Sequence, residues 1–154
     1  MFVQVSEADF SQQTLYDQLL AQCDKPAGAI VTFTGLVRDF NAQGPIDGLE
    51  LEHYPGMTEN ALLQLVEQAV SRFSLANAAA VHRIGRLANH DQIVWVGCAA
   101  THRHHAFEGA CFIMDTLKQA VPLWKKEYQH GAAQWVEPKA SDDQAAMAWL
   151  KKIQ

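Results

Sequence analysis

Residues 92–128 read QIVWVGCAATHRHHAFEGACFIMDTLKQAVPLWKKEY. The first part, Gln92–Thr101, is almost continuously apolar, which predicts a strand covered on both faces. From about His104 to Ala120, the residues Phe107, Ala110, Cys111, Met114 and Leu117 recur at helical spacing and define one apolar face. Pro122 ends that helix, because an interior proline removes a backbone donor and clashes with the preceding turn. Trp124–Tyr128 then reads as a short strand. A doubly covered strand running directly into a long amphipathic helix calls for a sheet with a helical layer packed on it.

Working outward, Met1–Val5 alternates like a strand, and Ser6–Gln22 carries Phe10, Leu15, Leu19 and Leu20 at roughly helical spacing. The turn CDKPAG at 23–28 breaks that helix. Gly28–Arg38, GAIVTFTGLVR, is rich in the β-branched and aromatic residues that suit a pleated surface. Asp39–Gly48, DFNAQGPIDG, reads as an exposed, mobile loop and a lid candidate. Leu49–Tyr54 alternates as a strand with one wet face, and Thr58 is placed to cap a helix with the stripe Ala61, Leu62, Leu65, Val66, Ala69, Val70 and Phe73. Ala78–Ile84 reads as a strand joined through Gly85–Asp91 to the strand at 92–101. Gln134–Val136 reads as another short strand, and Ser141-Asp142-Asp143-Gln144 as a capping box opening a short last helix. Sequential strand pairs at 28–54 and 78–101 predict antiparallel hairpins, and the interleaved order predicts an α+β sandwich rather than a doubly wound parallel sheet. No repeat or linker divides residues 1–154, so a single domain is expected.

Composition narrows the function classes. The 154 residues are 49% hydrophobic and 19% charged with a formal charge of -5, which fits one globular unit and disfavours non-specific nucleic-acid binding. The N-terminus lacks a basic and apolar leader, and no apolar run of membrane-spanning length occurs, so a cytoplasmic protein without a membrane partner is expected. Cys23, Cys98 and Cys111 have no CxxC spacing, which suggests neither a disulfide framework nor a zinc knuckle. Cys98 and Cys111 lie in apolar runs and read as core thiols rather than nucleophiles. The sequence contains no GxSxG, Walker loop, GxGxxG after a strand or HExxH.

What stands out against the acidic total is a cationic second half: His102, Arg103, His104, His105, Lys118, Lys125 and Lys126. His102 and Arg103 fall where a strand passes into a helix, a position that either holds an anion on free backbone N–H groups or is a solvated turn. The HxHH run at 102–105 straddles a strand–helix junction with no carboxylate or cysteine at ligand spacing, so no metal is assigned. His53, His82, His90 and His130 read as surface or strand residues. Lys118 at a helix C-terminus is favoured by the macrodipole alone. Alternatively, the turn at Pro122 brings Lys118 and Lys125 to one pocket, where an amine can act as nucleophile or general base. Arg38 is either an edge charge or a pocket cation at the mouth of the 39–48 loop.

Taken together, VTFTGLVR at 31–38, LEHYPGMTE at 51–59, VHRIG at 81–85, THR at 101–103 and FIMDTLKQAVPLWKKE at 112–127 resemble the large, catalytic subunit of molybdopterin synthase. The likeness runs in the same order over residues 28–137. It implies an α/β hammerhead-type fold with an additional antiparallel sheet, a homodimer of this subunit, and a heterotetramer with a small ubiquitin-like sulfur carrier. In that family the carrier's Gly-Gly tail, ending in a thiocarboxylate, delivers sulfur to cyclic pyranopterin monophosphate, and the large subunit needs no cofactor or metal. The resemblance implies catalytic roles for Lys118 and Lys125. It implies substrate binding by Leu36, Val37, Arg38, His102, Arg103, Lys125, Lys126 and Glu127. Lys139 stands where some members have an arginine that reaches across the dimer. The alternatives are a non-catalytic module that grips an anionic metabolite or a protein tail and, less compatible with the charge, a nucleic-acid protein.

Overall fold

The computed structural model describes residues 1–151. Its elements are β1 (Phe2–Ser6), α1 (Gln12–Ala21), β2 (Ala29–Leu36), β3 (Phe40–Asn41), β4 (Gly44–Pro45), β5 (Leu49–His53), α2 (Met57–Phe73), β6 (Asn77–Arg83), β7 (Gly85–Leu87), β8 (Gln92–Ala100), α3 (Arg103–Ala120), β9 (Leu123–Gln129), β10 (Ala132–Val136) and α4 (Ala140–Lys151). Two four-stranded sheets form, ordered β1-β6-β8-β2 and β10-β9-β5-β7, with β3 and β4 paired as a separate small hairpin. β1 and β6 are parallel, while the other pairs are antiparallel. The expected α+β class with an additional antiparallel sheet is what the chain adopts.

The first sheet is buried on both faces because its strands alternate between two cores. Ala78, Ala80, Val94, Val96 and Cys98 face α2 and α3, where they meet Leu62, Leu65, Val66, Ala106 and Ile113. Ala79, Val81, Trp95 and Ala99 face the opposite way onto Leu15 and Leu19 of α1. This explains why residues 92–101 read as continuously apolar. Gly97 leaves room in β8 for the Trp95 ring and Leu19, since a Cβ there would collide with both. Arg72 of α2 lies over the rings of Phe73, Phe112 and Trp149 and donates to the Trp149 carbonyl at 2.8 Å, which fastens α4 to the helical layer.

Several expectations change. β2 pairs with β8, not with the strand at 49–53, which lies in the second sheet between β9 and β7. The Gly85–Asp91 connection contains β7, so β6 and β8 pair around an excursion into the other sheet. The 39–48 segment is a hairpin rather than an open loop: Ile46 is buried, and its N–H donates to the Asp39 carbonyl at 2.9 Å. The first helix starts only at Gln12, where the Ser11 side chain accepts from the Thr14 N–H. Thr58 is not a cap. Gly56 occupies that position with φ +82, a conformation suited to glycine, and Glu59 accepts from its N–H. The last helix begins at Ala140, one residue before the expected capping serine, and runs on to Lys151. Among the described residues, no helix is long and apolar enough to cross a membrane.

Candidate functional site

The pleat of β9 decides which of its charges can act together. Alternate residues of a strand point to opposite faces. Lys125 sits opposite Leu51 of β5 and Val136 of β10, and Glu127 opposite Leu49; all five line one cavity of about 420 Å³. Lys126 projects to the other face. There its Nζ is 3.0 Å from Glu52 Oε1 and 4.3 Å from the centre of the Trp135 ring. The hydrogen bond to Glu52, assisted by the nearby carboxylates, raises the Lys126 pKa above its ordinary value.

Lys118 reaches the same cavity from the last turn of α3. The chain then turns at Val121 and Pro122 into β9, and a buried threonine from elsewhere holds the turn. Thr58 Oγ1 donates to the Pro122 carbonyl at 2.8 Å and accepts from the Tyr54 N–H at 2.9 Å. One hydroxyl therefore ties the β5–α2 junction to the α3–β9 junction, and so fixes where Lys118 and Lys125 stand relative to each other. The third side of the site comes from the end of β2, with Leu36, Val37 and Arg38, and from the segment after β10, with Lys139.

The cavity gathers four cationic side chains, Arg38, Lys118, Lys125 and Lys139, against three carboxylates, Glu127, Glu137 and Asp142. Lys118 Nζ lies 2.9 Å from Asp142 Oδ1 on α4, and Lys125 Nζ lies 3.5 Å from Glu127 Oε1. Asn41 of the small hairpin donates to Glu127 Oε2 at 2.8 Å, so the expected lid segment is already tied to the site. Each lysine thus faces its own carboxylate rather than the other lysine. Arg38 and Lys139 have no ion-pair partner among the described residues, which leaves two cations open to an anionic ligand.

Not all the expected residues converge. His102 and Arg103 open α3, whereas Lys118 is in its last turn, about 22 Å further along the axis at the usual rise per residue. They line no part of this chain's cavity. His102 is the N-cap residue and makes no side-chain cap hydrogen bond. Lys126 is likewise excluded, by the pleat. Lys139, which stands where some members of the resembled family have a cross-dimer arginine, lines the cavity of its own chain. Among the described residues, no group of three or more His, Cys, Asp and Glu side chains could hold a metal ion.

Two further residues bear on the site although the sequence did not single them out for it, Thr58 by holding the turn before β9 and His82 by lining the cavity. Thr58 was read as a helix cap, and His82 as a surface or strand histidine. His82 proves to be a buried wall residue of the cavity in β6. The VHRIG strand pattern carried the only signal, since it puts His82 on the same face as the buried Ala78 and Ala80. Cys98 is buried as expected, and burial pushes its thiol pKa up to about 12. Cys111 is exposed, which corrects its reading as a core thiol.

Comparison with known proteins extends this picture. The family model described as MoaE protein matches residues 5–120. The molybdopterin synthase catalytic subunit of Vibrio cholerae is 47% identical over 147 residues, 96% of this chain and 97% of that protein. The solved molybdopterin biosynthesis MoaE protein of Burkholderia ambifaria superposes with a TM-score of 0.81 at 39% identity, covering 97% of this chain and 98% of the other. A Helicobacter pylori complex of subunits 1 and 2 of molybdopterin-converting factor contains a chain of the same fold, at 17% identity and a TM-score of 0.72, with 89% and 91% coverage. With the family model matching residues 5–120 and a catalytic-subunit relative 47% identical over 96% of its length, the chain belongs to the MoaE protein family.

Proposed function

We propose that this chain is a molybdopterin synthase catalytic subunit, a sulfurtransferase. It works with a small ubiquitin-like carrier, whose Gly-Gly thiocarboxylate enters the cavity, on cyclic pyranopterin monophosphate. The observation that carries the reading is the convergence of Lys118 from α3 and Lys125 from β9 on one cavity that also presents Arg38 and Lys139, two cations without an ion-pair partner among the described residues. Such a site suits two ligands that are each anionic, a carrier tail and a phosphorylated heterocycle.

In this reading Arg38 and Lys139 hold anionic groups. Lys118 and Lys125 bind the acyl terminus of the carrier and stabilise charge that develops as its sulfur displaces an oxygen leaving group from the pterin side chain. Water then cleaves the acyl C–S bond, leaving the sulfur on the pterin and releasing the carrier as a carboxylate. Preorganised cations in a partly desolvated site do this without reorganising during the reaction. Lys118 begins paired with Asp142, so the incoming terminus takes over the position of that carboxylate. Glu127, held by Asn41, orients the Lys125 amine.

His102 and Arg103 enter the reading through a second copy. Lying at the far end of α3 from Lys118, they cannot serve the same cavity within one chain, and a homodimer lets them complete the cavity of the neighbour. The functional unit is then a dimer of this subunit with a carrier on each copy.

The test is dithiolene formation from cyclic pyranopterin monophosphate and a verified thiocarboxylated carrier. Wild-type protein should give product, and Lys118→Ala should retain carrier binding while losing turnover. A smooth loss of carrier affinity on replacing either lysine, with no product formed even by the wild-type protein, would instead mark a binding module. Mixing Lys118→Ala with Arg103→Ala subunits should restore activity that neither variant has alone; no restoration would contradict the shared site.

A further inference from the structure

Three polar side chains are buried among the described residues: Thr58, Asn77 and His82. The first two have their hydrogen-bonding groups matched within the protein. Thr58 bridges Tyr54 and Pro122, while Asn77 donates from Nδ2 to the Leu19 carbonyl and accepts at Oδ1 from the Ala78 N–H. His82 differs. Its Nδ1 lies 2.8 Å from the Arg83 carbonyl, an acceptor only, so Nδ1 carries the ring hydrogen. Nε2 is left with a lone pair and no partner among the described residues.

The surroundings favour the neutral ring. Burial holds the imidazole pKa below its ordinary value, the hydrogen bond to Arg83 opposing only in part. His82 pairs across the sheet with Val94, and together with Ile93 and Leu36 they form the wall of the cavity that the first sheet provides. The two walls therefore differ in character. The charged side, from β9, α3 and the segment after β10, suits anionic groups. The first-sheet wall is apolar apart from the single unmatched acceptor of His82. Nε2 is not sealed from solvent, since the fully buried side-chain atoms without a partner among the described residues are Asn89 Oδ1 and Thr116 Oγ1; an acceptor left open on a cavity wall is available to a donor of the ligand.

We infer that His82 contacts the substrate: its Nε2 accepts a hydrogen bond from an N–H of the uncharged heterocyclic part of the ligand, fixing which face and edge of the ring lies against the first sheet. This deepens the reading of the cavity as a pterin site and rests on it. His82 is then a specificity residue, distinguishing a ring with a donor from a phosphate-bearing compound without one.

The test uses the intact protein with histidine labelled at the ring nitrogens and arginine at the guanidinium nitrogens, followed by NMR. In the free protein His82 should show a protonated Nδ1 and an unprotonated Nε2. Saturating cyclic pyranopterin monophosphate should move the Nε2 signal upfield, as a hydrogen bond to it requires, whereas inorganic phosphate should perturb the Arg38 side chain and leave His82 unmoved. His82→Phe should weaken binding of the pterin about threefold to tenfold without changing phosphate binding, and His82→Gln, which restores an acceptor, should recover most of the loss. A pterin that shifts Arg38 and leaves Nε2 in place, or an Nε2 already protonated in the free protein, would overturn the inference while sparing the function. A pterin that moves no cavity side chain would overturn both. The labelling experiment needs no variant, so a poorly folding His82→Phe does not remove the test.

Discussion

Lys125 and Lys126 are identical side chains on adjacent residues of one strand, yet they belong to different regions of the molecule. Lys125 faces a cavity shared with Lys118, Arg38 and Lys139, while Lys126 lies on the outer face of the second sheet between Glu52 and Trp135. On that outer face Tyr128 donates to Glu50 at 2.6 Å and Arg86 stacks on the Tyr128 ring, so charges there are matched laterally. The comparison teaches that the pleat, not the local charge density, determines which cation can do chemistry. A run of two lysines signals a basic segment, but only the period of the strand assigns each its task.

The widest way to separate the two faces is mutation of each lysine. Lys125→Ala is expected to lower sulfur-transfer turnover about 100-fold or more, the size typical of removing a preorganised electrostatic contact, whereas Lys126→Ala should change it less than about threefold. Equal losses would break the comparison. Next in size is the device that places the cavity face. Thr58→Val leaves the part-buried Tyr54 N–H and Pro122 carbonyl without their bridge and should cost about 1 kcal/mol in denaturant unfolding, with turnover reduced although no cavity residue has changed. Unchanged stability would remove Thr58 from the account.

A smaller effect concerns pH. Because the folded-state pKa of His82 is depressed by burial, the unfolded chain binds a proton that the folded chain refuses as the pH falls below about 6.5. The contribution of His82 is therefore fully present above that pH and is lost as the pH falls toward its folded-state value. His82→Gln should flatten this part of the stability profile, which unfolding at a series of pH values measures. The smallest effect lies on the outer face. Trp135→Ala should lower the unfolding stability only slightly, through loss of the contact with Lys126, and leave turnover unaltered.

How much of this was legible from the sequence follows from which interactions are local. Residues 92–101 announced a strand buried on both faces, and the periodicity of α2 placed its core stripe, because burial imprints a repeat on the chain. The stripe read for α3 was misplaced: Phe107 and Cys111 are exposed, while Ala106, Gly109, Phe112 and Ile113 are buried with Ala110 and Leu117. Pairing partners were not legible. β2 joins β8 across some 60 residues, and neither strand carries a mark of the other. The 39–48 segment looked like an open loop because two-residue strands leave almost no pattern, and its order comes from Ile46 packing and the Asn41–Glu127 contact. At the site, Lys118 and Lys125 could be read as a pair because a proline turn separates them by only a few residues. The separation of His102 and Arg103 from them could be read as well, since a continuous helix sets that distance, but motif likeness grouped them all the same. Thr58 and His82 act through contacts distant in sequence, which composition does not mark.

The most direct test of the central claim is a single-turnover reaction with thiocarboxylated carrier and cyclic pyranopterin monophosphate, following carrier binding and dithiolene formation together in the Lys125→Ala protein. The account predicts that the carrier still binds and that product formation falls by about 100-fold or more. Product formed at the wild-type rate from the bound carrier would contradict it.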